Sequence, residues 1–250
     1  MIRLKIFHLN VHIHILTVIY FILCWITQNI IWYLSALLIV CIHELCHLLM
    51  AYYFHFDIEK VEILPFGAYL SLRDFYFHPI SHEICVVLAG PCSHLGMYYF
   101  INLFIKSPYH ELLLMLNTFV FFFNLLPIYP MDGHRFICLC LQSVMDLQKS
   151  FYLSLKMSVL SLVILGVCYC QINTIVIIVY LLCQQFSYFN FIPSYLRIYF
   201  SQIPFMEEKK KMIIHHHYYY HRGCHNYYLI QSQLYDEKSV INELLKTVKK

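Results

Sequence analysis

Six apolar stretches, each close to the ~20 residues a helix needs to cross a bilayer, constrain this 250-residue chain more than any other feature. They run from about His8 to Thr27, Ile30 to Phe54, Ile84 to Ile105, Leu112 to Ile128, Phe151 to Cys170 and Ile172 to Phe189. Hydrophobic residues make up 60% of the chain and charged residues 12%, about half the charged share of a soluble domain. In hydrocarbon a backbone must satisfy its own hydrogen bonds, so such runs are read as helices. The expected fold is an all-α polytopic membrane protein of about six transmembrane helices, with a short cytoplasmic β-hairpin and a small cytoplasmic C-terminal tail. Residues 1–200 would form the membrane domain and 201–250 the tail.

The bases orient it. Arg3 and Lys5, Lys60 and Arg73, then Arg135, Lys149 and Lys156, and finally Arg197 with Lys209 to Lys211 fall in alternate connections. The Gln28-Asn29 and Gln171 turns between them carry none, and Lys106 is the exception. Lys and Arg collect on the cytoplasmic side, so both termini are expected there. No cleavable signal sequence is expected after Arg3 and Lys5. A net charge of +3, placed beside the spans, suits a lipid bilayer and gives no reason to expect nucleic acid. The eleven cysteines include no C-x-x-C pair and read as reduced, packing thiols. Ile58 to Leu64 and Ala68 to Leu72, around Pro65-Phe66-Gly67, read as the two strands of the hairpin. The His215 to His217 run in the tail reads as a solvated patch.

Inside the second apolar run lies His43-Glu44-Leu45-Cys46-His47. On a helix, H-E-x-x-H sets two imidazoles one turn apart on one face, where both reach one Zn²⁺, and leaves the glutamate as a base toward water. With sixteen His in the chain, the pattern would arise by chance in about one such sequence in thirty. Polar side chains at membrane depth are costly, which marks them as functional. A second motif strengthens the reading. The fourth run ends Asn124-Leu125-Leu126-Pro127-Ile128-Tyr129-Pro130-Met131-Asp132-Gly133. Two prolines three residues apart cannot continue a helix, so the span should unwind there and present Asp132 beside the histidines. His43, His47 and Asp132 would be the three protein ligands of one Zn²⁺ per chain, with a fourth position open. Glu44 would be the catalytic base. A transporter using these residues as an ion path, a catalytically inactive membrane-binding protein, and an iron enzyme with the same ligand types are the competing readings.

These motifs resemble the site-2 protease family of intramembrane zinc metalloproteases, and most of all its stage IV sporulation protein FB branch. The resemblance covers Ile42-His43-Glu44-Leu45-x-His47, Leu64-Pro65-Phe66-Gly67, Ala89-Gly90-Pro91-x-x-His94, the Asn124 to Gly133 segment and Arg222-Gly223-Cys224. It implies a zinc metalloendopeptidase that performs regulated intramembrane proteolysis on a membrane-associated protein near the cytoplasmic face. In this branch the substrate is a sporulation sigma-factor precursor, and inhibitory membrane proteins act as partners. Asn124, Pro127, Pro130, Gly133, Phe66, Gly67 and His94 would bind substrate or support the site. Ala68 replaces a glycine usual in the family, and the tail is shorter than the nucleotide-sensing domain common in the branch.

Overall fold

The computed structural model describes residues 2–6, 9–13, 15–64, 67–106, 108–168, 172–205 and 211–248. It divides into two compact units, Met1–Leu125 and Leu126–Lys250.

The first unit begins with strands, not with a span. β1 (Ile2–Ile6) and β2 (Leu9–Ile13) pair antiparallel, and helix α1 covers Ile15–Ile26. The expected span from His8 is shortened for a physical reason. Ile2-Arg3-Leu4-Lys5-Ile6 and Leu9-Asn10-Val11-His12-Ile13 alternate apolar and polar residues with period two, the pattern of a strand. The hairpin does form, as β3 (Ile58–Leu64) and β4 (Gly67–Leu72). Its strands belong to one sheet of order β1-β2-β3-β4, with β2 and β3 parallel and Val11 opposite Val61. The fold is thus mostly helical but not all-α.

Helix α2 (Ile30–Tyr53) buries Ile39, His43, His47 and Ala51, every fourth residue, on one stripe. Its other side exposes Leu34, Leu38, Leu45 and Leu49. Apolar outside and histidine inside is the polarity of a helix solvated by lipid. The helix stops after Tyr53 because His55 turns left-handed (φ 59°). The His55 amide then donates to Tyr52 O at 3.1 Å and the Phe56 amide to Ala51 O at 2.9 Å, which satisfies carbonyls of the last turn. Phe56 packs on Ala51, Leu70 and Val86, joining this end to β4 and to α3 (Ile80–Phe104). Farther along, Ile39, Met97 and Ile101 pack with Leu113, Leu116 and Val120 of α4 (Tyr109–Leu125). Pro91 lies within α3, yet the helix continues through it.

The second unit opens with a non-helical segment, residues 126–131, followed by α5 (Asp132–Val144), α6 (Leu147–Cys168) and α7 (Ile172–Gln202). Ile128, Leu162 and Leu181 form its apolar centre. The tail folds against these helices. β5 (Met212–His215), β6 (His225–Ile230) and β7 (Gln233–Asp236) make a sheet, followed by α8 (Ile241–Thr247). Asp146 caps α6 through the Lys149 amide (3.0 Å) and accepts the Tyr220 amide (2.7 Å). Arg222, 5% exposed, donates to Gln142 Oε1 at 2.7 Å. Of the His215 to His217 run, His216 and His217 are exposed as expected, whereas the half-buried His215 has its Nε2 2.9 Å from Asn226 Oδ1. Burial keeps the neighbouring His221 imidazole below its usual pKa, and His215 adds to this.

Three helices among the described residues, α2, α3 and α6, are long and apolar enough to cross a membrane; α1 and α4 are shorter apolar helices. Of the six expected spans, α2, α3 and α6 correspond to the second, third and fifth among the described residues. Strands take the start of the first run, and the proline pair ends the fourth at Leu125.

Candidate metal centre

In the first unit the histidine pair is oriented by α3 and α4. His47 Nδ1 lies 2.7 Å from the backbone oxygen of Val86. A carbonyl only accepts, so Nδ1 carries the proton and Nε2 keeps a bare lone pair. His43 is fixed less directly. Asn117 Nδ2 donates to the backbone oxygen of His94 at 3.1 Å, which sets the amide so that Oδ1 faces His94 Nδ1 at 2.7 Å. His94 therefore holds its proton on Nδ1, and its bare Nε2 accepts from His43 Nδ1 at 3.0 Å. That leaves Nε2 of His43 bare as well. The two Nε2 atoms face each other at 3.0 Å, with His43 1% and His47 5% exposed. Two unprotonated imidazole nitrogens at that distance can both ligate one cation. Neutral imidazole nitrogens are zinc's usual ligands, at about 2.0–2.1 Å, so this donor set fits the metal.

The approach is close. Val86, Gly90 and His94 are four residues apart on α3 and share one side of it. A Cβ at Gly90 would come within 2.5 Å of His47 Cε1 and 2.6 Å of His43 Cε1. Glu44, one residue past His43, is half-buried, so its carboxylate is less enclosed than either imidazole.

In the second unit Asp132 is 8% exposed and opens α5 directly after the proline-broken segment; Gly133 and His134 are buried in the same turn. Backbone that is not helical needs partners when shielded from water. A closed ring supplies them. The Tyr129 amide donates to Ser158 Oγ (2.9 Å), Ser158 donates to Gln185 Oε1 (2.9 Å), and Gln185 Nε2 donates to Tyr129 O (2.9 Å). Pro127 and Pro130 have no amide to satisfy. Ser158 and Gln185 carry no motif; their signal was a polar side chain inside an apolar run.

The supporting residues divide. His94 meets His43 as described, whereas Asn124 Nδ2 donates to Val120 O of its own helix at 3.1 Å. Gly67 begins β4, and Phe66 lies outside the described residues. Gly90 and Asn117 were not singled out as site residues from sequence.

Comparison with known proteins identifies the family. Residues 32–109, which hold the histidine pair and His94, match Peptidase family M50. The chain is 33% identical over 163 residues to Stage IV sporulation protein FB of Bacillus subtilis (strain 168), covering 63% of this chain and 57% of that one. It therefore spans less than two thirds of that relative's length. It is 32% identical over 148 residues to the Putative zinc metalloprotease YwhC of the same strain, covering 42% of this chain and 67% of YwhC. The fold is similar to the Site-2 Protease from Methanocaldococcus jannaschii, with a TM-score of 0.58 at 22% identity over 74% of this chain and 94% of that one. The chain belongs to peptidase family M50, the site-2 protease family.

Proposed function

We propose that the chain is an intramembrane zinc metalloendopeptidase that hydrolyses a peptide bond of a membrane-associated protein near the cytoplasmic face. The observation that carries this reading is the pair of buried imidazoles whose Nε2 atoms face each other at 3.0 Å, with Glu44 on the same helix. His43, His47 and Asp132 would hold one Zn²⁺. In support, each of the three is buried and carries a side chain of a type that zinc takes as ligand. When bound, zinc acts as a Lewis acid on the scissile carbonyl and makes a water acidic near neutral pH.

The chain supplies the rest. Glu44 takes a proton from the attacking water on its carboxylate and later gives it to the nitrogen of the departing amine. Val86 O accepts from His47 Nδ1, which would leave His47 Nε2 to ligate zinc. Pro127 and Pro130 break the chain ahead of Asp132, and Gly133 follows it in the first turn of α5. Asn124 spends one Nδ2 hydrogen on Val120 O, which leaves its second Nδ2 hydrogen and its Oδ1 for substrate. A helical substrate hides its own amides, so the scissile segment must be extended. β3 is flanked by β2 and β4, which makes the outer edge of β4, following Phe66 and beginning at Gly67, the place where an extended chain would add.

Purified protein in detergent should hold about one zinc, and His43→Ala, His47→Ala and Asp132→Ala should each lose most of it. Full zinc and full proteolysis in Asp132→Ala would remove it from the ligand set.

A narrower reading draws on the sporulation relative: the substrate is a membrane-tethered sigma-factor precursor, and inhibitory membrane proteins restrain the enzyme. It places the chain in a bacterial cell membrane with both termini and the 201–250 tail cytoplasmic. Reporter fusions after Phe56 and Lys149 should then report the cytoplasm, and one at Asn29 the far side. A Lys149 fusion on the far side would end this topology. Co-expression with a tethered sigma-factor precursor should give the processed product, and an uncut precursor would end the substrate assignment.

A further inference from the structure

We propose that His94 is a positioning residue for the metal: backed by Asn117, it fixes the proton of His43 on Nδ1 and so presents His43 Nε2 bare. The inference rests on the zinc reading above and extends it to residues outside the ligand set.

The two histidines of the pair are held by different means. His47 donates to Val86 O, a backbone acceptor that a change of side chain leaves in place. His43 depends on a side chain, the bare Nε2 of His94, and that atom is bare only because Asn117 Oδ1 takes the proton on the other nitrogen. Asn117 in turn is oriented by its bond to the backbone oxygen of His94. The chain of donors has one direction, from His43 to His94 to Asn117, and it ends in an amide that has no second form. Without the acceptor, the His43 ring can turn or carry its proton on Nε2, where it competes with zinc.

Burial makes the arrangement informative. His94 is 2% and Asn117 3% exposed, within helices whose outward side chains are Leu, Phe and Tyr. Apolar residues would fill the same space without desolvating an imidazole and an amide, a cost that only paired polar groups offset. His94 also packs on His43, ring centroids 5.1 Å apart, and meets Phe121 edge-on at 5.8 Å. A packing role would need the ring; a positioning role needs the acceptor. Outer partners that orient a ligating histidine typically change metal affinity by about 10–100-fold.

The test separates acceptor from ring. Zinc affinity of the full chain in detergent is measured by chelator competition for wild type, His94→Gln, which offers an amide oxygen without a ring, and His94→Phe, which offers a ring without an acceptor. Elution volume and helical circular dichroism check the fold. His94→Phe should weaken zinc by about 10–100-fold, with His94→Gln recovering to within about threefold of wild type. A second pair covers the case in which His94→Phe does not fold. Asn117→Leu, which removes the acceptor, should lose about tenfold, and Asn117→Asp, which keeps an acceptor for His94 Nδ1 but sets its other oxygen against the His94 carbonyl, should lose less than Asn117→Leu. Wild-type affinity in His94→Phe, or tighter zinc in His94→Phe than in His94→Gln, would overturn the positioning role and leave the metal reading standing. A wild-type chain that binds no zinc would overturn both.

Discussion

Glu44→Gln should bind zinc like the wild type and yet cleave a membrane-tethered substrate about 10²–10⁴ times more slowly, the usual contribution of a positioned general base. The range corresponds to about 2.7–5.4 kcal/mol of transition-state stabilisation. The two halves of the expectation come from different features. On α2, His43 and His47 are one turn apart on the buried stripe, whereas Glu44 is the next residue round the helix and only half-buried. Glutamine keeps the length and shape of the side chain but cannot accept a proton at neutral pH. Metal analysis and a cleavage assay on the same purified sample check both halves. Loss of zinc along with activity would make Glu44 a ligand or a structural support, and cleavage near wild type would move the base elsewhere.

The residues that chemistry requires were legible, and those that orient them were not. H-E-x-x-H needs only helical periodicity to bring two imidazoles to one side, and the proline pair needs only missing amides to end α4. Both hold in the structure, with His43 and His47 on one stripe and α4 ending at Leu125. The partner of His47 is a backbone oxygen, Val86 O, which leaves no trace in a side-chain pattern. Gly90 and Asn117 act across α2, α3 and α4, and single-chain periodicity says nothing about which helices meet. Ser158 and Gln185 stood out only as polar residues in apolar runs, and their ring with Tyr129 depends on the broken segment between Leu126 and Met131. β1 and β2 are a different case: their period-two alternation was present, but the bases Arg3 and Lys5 drew the reading toward membrane orientation. α5 lay in a stretch assigned to a cytoplasmic loop, although Cys138, Leu139 and Gln142 mark a buried helical face.

Gly90→Ala should lower zinc affinity by about a hundredfold and bring proteolysis down with it. The added Cβ would stand 2.5 Å from His47 Cε1 and 2.6 Å from His43 Cε1, where carbon atoms rest at about 3.5–4.0 Å. Both rings must therefore retreat by about 1 Å, and a displacement of that size at a reacting centre is worth about a hundredfold. The rings have little room to do so. Each is tied at Nδ1, to Val86 O and to His94, and Val86 and His94 sit one turn to either side of Gly90 on the same helix. Loss of helix stability cannot explain the outcome, because alanine favours a helix over glycine by about 0.5–1 kcal/mol. Gly96→Ala supplies the control. It lies on the same helix, a Cβ there meets nothing within 4 Å, and it should bind zinc and cleave as the wild type does. Zinc titration of the two variants side by side decides the matter. If Gly90→Ala matched Gly96→Ala, the imidazoles would not rest against α3 at Gly90, and the orientation that leaves both Nε2 atoms facing the metal would have to be abandoned.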